Sequence, residues 1–157
     1  MVHIVVIEIK NPTGLVYKEL LKVSFKVCDT FLLVVRKGMS KNPSINIVLE
    51  ELKPFHIKIK DQSRWPGTTV YSEEPAATVY YYRTESDALD ILTQSSDSLY
   101  KWLQPYLPED LSFLKEGKEW LINTSHEKDC VIITNDKEDI DKVLKIKGLQ
   151  HSLRIIK

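Results

Sequence analysis

Val2 to Ile9 is a run of mainly aliphatic, β-branched residues closed by the turn formers Asn11-Pro12-Thr13-Gly14, and it predicts a first strand. From Leu15 onward the period changes. Val16, Tyr17, Leu20, Leu21, Val23, Phe25, Val27, Cys28, Phe31 and Leu32 share one broad arc at about 100° per residue. Lys18, Glu19, Lys22, Lys26 and Asp29 fill the other side, which predicts one helix running on to a stop at Lys37-Gly38. Lys22 to Val27 also alternates as a strand would. A second helix is expected from Asn42-Pro43, an N-cap followed by proline, with Ile45, Val48, Leu49 and Leu52 inward and Pro54 as its end. Phe55, Ile57 and Ile59 then alternate with His56, Lys58 and Lys60, the mark of a strand whose lysines face water.

Asp61 to Pro75 is the one long irregular stretch, and within it Trp65-Pro66-Gly67 has the chemistry of a type II turn. Ala76 to Arg83 resumes as a strand. Between Glu85 and Gln104 apolar and polar residues again separate on the wheel, which predicts one long helix before the breaks at Pro105 and Pro108. Leu111 to Leu114 and Trp120 to Thr124 flank Lys115-Glu116-Gly117-Lys118 as a hairpin would, and Cys130 to Thr134 adds a neighbouring strand. A helix from Asp136 to Lys147 is expected behind an Asn135 N-cap, with Gly148 as its stop and Leu149 to Ile156 as an edge strand. These elements do not alternate as in a doubly wound parallel sheet. They predict a single α+β domain over residues 1 to 157, a mainly antiparallel sheet with about four helices packed on it.

Composition supports a folded core: the chain has 157 residues, 43% of them hydrophobic and 28% charged. Twenty-two basic residues balance twenty-two acidic ones, so the long-range field of a dedicated nucleic-acid or anionic-membrane binder is missing, and nucleic acid is not an expected partner. The N-terminal stretch lacks the basic start and apolar length of a signal peptide, and the longest purely apolar run, Phe31 to Val35, falls far short of a membrane span. The two cysteines, Cys28 and Cys130, do not form the dense pattern of a secreted disulfide scaffold. A cytoplasmic protein with reduced thiols is the expectation.

Two places hold candidate chemistry. His126-Glu127-Lys128-Asp129-Cys130 gathers a base, carboxylates and a thiol, so His126, Glu127 and Asp129 are the catalytic candidates of a small hydrolase or metal-dependent enzyme. That reading needs them around a concave pocket. The cluster lacks a second histidine and lies in an interstrand connection, so a polar turn is the plainer expectation and no metal is assigned. The five glycines are isolated at turns and helix ends, which leaves no phosphate-binding loop and no expected cofactor.

The second place is aromatic. Tyr80 and Tyr82 point one way along their strand and Tyr81 the other, and with Trp65 and Arg64 in the preceding loop they could form an exposed contact surface for another protein. Packing beneath the helices is the alternative for those rings. Lys58, Lys60 and Arg64 lie close in sequence and could touch phosphate, against the default of a solvated strand face. The preferred functional expectation is therefore a non-catalytic protein-binding module, a toxin-neutralising immunity protein being one such case.

Several stretches also carry a resemblance: Tyr17-Lys18-Glu19-Leu20-Leu21, Cys28 to Arg36, Trp65-Pro66-Gly67, and Leu107-Pro108-Glu109-Asp110-Leu111 followed by Trp120-Leu121 and His126-Glu127. They resemble a group of uncharacterised bacterial proteins, some of which carry the label stage III sporulation protein AH. The resemblance spans roughly residues 15 to 134 and implies a bacterial, cytosolic origin, with no activity, ligand or catalytic residue attached.

Overall fold

In a computed structural model, which describes residues 3 to 156, strand β1 (Ile4–Lys10) leads into helix α1 (Gly14–Val27). Val2, the first residue of the expected strand, lies outside the described residues. The helix stops earlier than its apolar arc suggests. Cys28 turns extended at φ −101° and ψ 150°, and Thr30–Arg36 becomes strand β2, with every residue from Phe31 to Val35 buried. A continuous apolar, β-branched run is what a strand covered on both faces looks like, and over so few residues it carries no period that separates it from a helix.

Helix α2 (Ser44–Leu52) follows with Pro43, not Asn42, at its N-cap position; one residue earlier the Asn42 side-chain amide oxygen accepts a hydrogen bond from the Ser44 amide at 3.0 Å. Strand β3 (His56–Gln62), the short hairpin β4 (Arg64–Trp65) and β5 (Thr68–Thr69), and strand β6 (Ala77–Arg83) come next. Ile57 and Ile59 of β3 stay exposed, because β3 is an edge strand that the helices only partly overhang.

Helix α3 (Ser86–Ser95) ends well short of Gln104. The Ser95 hydroxyl turns back to the Ile91 carbonyl, Ser96 is extended, and Ser98 forms a bridge with Thr13 while the Gly14 amide donates to the Asp97 carbonyl at 2.7 Å. Local side-chain bonding by serines thus competes with the helix. Trp102 is buried beyond this break, where its indole N–H donates to the Tyr17 hydroxyl, which in turn donates to the Leu92 carbonyl.

The C-terminal third holds strands β7 (Glu109–Lys115), β8 (Lys118–Thr124) and β9 (Asp129–Thr134), helix α4 (Lys137–Leu144) and strand β10 (Gln150–Ile156). Asp136, not Asn135, caps α4: its carboxylate accepts from the Glu138 amide at 2.9 Å. A register shift between β7 and β8 leaves Trp120 as the extra residue of a bulge. Its indole reaches Asp139 of α4, which Lys115 also contacts at 2.7 Å.

Among the described residues the eight long strands join one antiparallel sheet in the order β10-β1-β9-β8-β7-β2-β6-β3. The four α-helices lie over one face and enclose the main core, which includes Tyr17, Phe31, Trp102, Phe113 and Ile132. The molecule is an α+β domain, as its pattern predicted. Among the described residues no helix is long and apolar enough to cross a membrane.

Candidate functional site

The sheet face away from the helices is covered over only part of its width. There the β4–β5 hairpin folds back across the strands, and Trp65 packs with Leu32, Val34, Ala77 and Val79 as a second, smaller core. At the hairpin turn Gly67 has φ +80°, and a Cβ at that position would run into the Thr124 side chain of β8. Glycine therefore serves two ends, the left-handed backbone and the close approach of hairpin to sheet.

Trp65 is held from two sides. Its indole N–H donates to Asp110 Oδ2 at 3.0 Å, and Asp110 Oδ1 accepts the Ser125 amide at 3.0 Å. Asp110 is fully buried at the start of β7, with φ +57° in an irregular stretch of the β2–β7 pairing. Over the other side of the ring lies Arg36, its guanidinium carbon 5.2 Å from the ring centroid. Arg36 forms a 3.2 Å ion pair with Glu109, which is 1% exposed and receives no well-aligned hydrogen bond. Burial pushes the Glu109 carboxyl above its ordinary range, helped by the neighbouring Asp110 charge and only partly opposed by Arg36. Burial likewise raises the Asp110 carboxyl, against the hydrogen bonds from Trp65 and Ser125 that favour its ionised form.

Between this pinned hairpin, strand β3 and the β7–β8 turn lies an open cleft of about 370 Å³. Leu32, Leu114, Trp65, Pro66 and Tyr81 give it an apolar floor and wall, while Lys60, Gln62, Arg64 and Glu119 line its rim. Gln62 ties the rim together: its amide donates to the Arg64 carbonyl at 2.6 Å and meets the Tyr81 hydroxyl at 3.1 Å. Lys58 sits just outside, its ammonium 4.6 Å from the Tyr81 ring centroid. None of Lys58, Lys60 and Arg64 forms an ion pair among the described residues. The cleft thus joins an apolar surface to cations free to meet an acidic ligand. No serine, cysteine or histidine lines it.

Two further clefts are less suited to a charged ligand. The one of about 440 Å³ beside Trp120 sets Lys115, matched by Asp136 and Asp139, and Lys118 among the carboxylates of Glu116, Glu119 and Asp136. The one of about 280 Å³ between α2 and β3 contains Lys53, already paired with Glu50.

The predicted aromatic surface is divided by the sheet. Arg64 and Trp65 belong to the open cleft, whereas Tyr80 and Tyr82 lie on the helix side and line the cleft against α2. The expectation that Trp65 and Tyr82 are exposed is corrected: they are 3% and 1% exposed. Trp65 is buried because the hairpin lays it on the sheet, and Tyr82 because its ring stacks on Phe31 at 5.1 Å. Tyr81, passed over in the sequence, is the tyrosine of the open cleft; the same alternation that paired Tyr80 with Tyr82 already sent it to the opposite face.

His126 and Glu127 occupy a 3₁₀ turn, Ser125–Glu127, where both side chains are exposed and lie 3.7 Å apart. Asp129 is exposed at the start of β9, and Cys130 is buried on the helix side, its thiol pushed upward by burial. The turn lines none of the three clefts, and the thiol does not meet the imidazole. Among the described residues no three His, Cys, Asp or Glu side chains are grouped to hold a metal ion. Compared with known proteins, the chain matches no family model, no curated protein and no solved structure.

Proposed function

We propose that this is a non-catalytic protein-binding module of the cytoplasm, and that its partner inserts an apolar side chain, flanked by carboxylates, into the cleft beside Trp65. The observation that carries this reading is the set of unpaired cations, Lys60 and Arg64 with Lys58 next to them, around an apolar floor. A buried apolar anchor ringed by charges is the usual build of an interface hot spot, and unpaired cations speed and orient the encounter with an acidic partner. Preorganisation supports the same reading. Asp110 and Arg36 fix the Trp65 wall before any ligand arrives, so little ordering cost remains at binding. An immunity-type role, neutralising an acidic or acid-flanked surface of a toxin, is one form this binding could take. A reducing compartment suits the two free, buried thiols Cys28 and Cys130.

Selection of a random peptide library on the immobilised protein tests the reading directly. The expected winners carry Asp or Glu around Leu, Phe or Trp, and Lys60→Glu combined with Arg64→Glu should weaken them by about tenfold or more. Enrichment of peptides without acidic residues, or affinity indifferent to the double reversal, would overturn it.

A further inference from the structure

We propose that β10 pairs with β10 of a second copy of this chain, about a two-fold axis at Leu153, joining two eight-stranded sheets into one continuous antiparallel sheet. The seven residues of β10 are all exposed, and Leu153, Ile155 and Ile156 are 50%, 62% and 46% exposed. The strand pairs with β1 in unbroken register over its whole length, with no bulge and no proline, and Arg154 is its only Lys, Arg, Asp or Glu. Natural sheets blunt their edges with lysines, bulges, prolines or a covering loop. The opposite edge does so: β3 has Lys58, Lys60 and Asp61 and a register irregularity after His56. Edge β10 lacks those protections and offers apolar side chains to whatever pairs with it.

Its own sequence is the complement it fits. In a two-fold antiparallel pairing, each residue must face one on the same side of the sheet, so only alternate registers are allowed. With the axis at Leu153, Leu153 faces its own copy, Ser152 faces Arg154, His151 faces Ile155 and Gln150 faces Ile156. On the helix side this creates an unbroken apolar row, since Leu153 sits beside Ile7 of β1 in each copy. On the other side the row runs from Glu8 through Ser152 to the second copy's Arg154, because Glu8 pairs with Ser152 and accepts its hydroxyl at 3.1 Å. Two strand spacings separate the Cα atoms of Glu8 and that arginine, about 10 Å, a gap their side chains can close together. Arg154 has no ion-pair partner within its own chain among the described residues. The neighbouring registers lose this match. An axis at Arg154 sets two arginines face to face, and an axis at Ser152 places Arg154 across Gln150, beside Lys10.

Sedimentation equilibrium of the full chain over a range of concentrations should give a monomer–dimer equilibrium. Leu153→Lys puts two ammonium groups on the axis and should raise the dimer Kd by about a hundredfold. Glu8→Arg and Arg154→Glu should each raise it about tenfold, and the two together in one chain should restore it. Leu153→Cys should cross-link to itself on oxidation, whereas Ser152→Cys should require Arg154→Cys on the other copy. A monomer at every concentration overturns the proposal. So does a dimer that tolerates Leu153→Lys, or a charge exchange that fails to restore pairing, either of which assigns association to another surface or register.

Discussion

The two faces of the sheet are held in different ways. Under the helices, large rings such as Trp102, Phe31 and Phe113 are essentially sealed from water and fill the space among α1, α3 and the strands. On the opposite face one two-strand hairpin does the covering, and its single tryptophan is fixed by a carboxylate, a guanidinium and a glycine turn. The helix face depends mainly on apolar area, which is forgiving of direction, with a few buried hydrogen bonds at Tyr17, Trp102 and Asp139 added to it. The hairpin face depends on a few directional bonds to buried charges, Asp110 and Glu109, whose carboxyls burial has pushed upward. The first is the design of a stable scaffold and the second that of a preorganised site, where polar groups fix the position of a binding wall at some cost to stability.

Large-to-small changes test the first half of that contrast. Trp102→Ala should destabilise the fold by about 3–5 kcal/mol in denaturant unfolding, because it empties a large volume and also strips the Tyr17 hydroxyl of its donor. On the hairpin face Asp110→Asn changes almost no volume, yet it turns one acceptor into a donor facing either the Trp65 indole N–H or the Ser125 amide. A loss of about 1–3 kcal/mol is expected, together with a blue or red shift of Trp65 fluorescence as the hairpin loosens. A loss near zero would mean that the hairpin is held by apolar contact like the rest.

The glycines sharpen the comparison further. Gly67 and Gly117 both have φ +80°, but a Cβ at Gly117 meets nothing within 4 Å, whereas at Gly67 it collides with Thr124. Gly117→Ala should therefore cost only the conformational penalty, about 1 kcal/mol. Gly67→Ala should add about 1–2 kcal/mol more, and the excess should appear as weaker ligand binding at the cleft, since the displaced hairpin holds Trp65. Equal losses at the two positions would show that the hairpin can lift from β8 without strain.

Much of this arrangement was legible in the residues. Alternation marked β3, β-branched composition marked β1, and turn chemistry marked Pro66-Gly67 and the β7–β8 hairpin at Gly117. Where the period failed, the cause was physical. Phe31 to Val35 is apolar at every position because β2 lies mid-sheet with both faces covered, so it continued the helical arc of α1 without a visible seam. Ser95, Ser96 and Ser98 end α3 through local side-chain bonds that a hydrophobic wheel does not register. The fate of Trp65 was not local at all. Its burial depends on Asp110, forty-five residues away, and on a hairpin folding across the sheet. The adjacent carboxylates Glu109-Asp110 opening an apolar strand were the available signal, since charges entering a core need partners.

The smallest effect concerns Glu109, and its sign separates the two faces. A carboxyl raised in the folded state is more protonated there than in the unfolded chain, so its contribution to stability is full below the unfolded value and falls as pH rises through the folded one. Asp136 at the start of α4 behaves in the opposite sense. The Glu138 amide and Lys115 lower its carboxyl, so the stability it adds is present above the ordinary carboxylate range and is lost as pH falls through its lowered value. Glu109→Gln keeps the shape but cannot ionise, and should flatten the decline in unfolding free energy above the carboxylate range while leaving the acid limb unchanged. Asp136→Asn should do the reverse, flattening the acid limb alone. If Glu109→Gln instead steepens the decline toward high pH, the Arg36 ion pair outweighs burial, and the hairpin face is held by charge pairing rather than merely tolerating it.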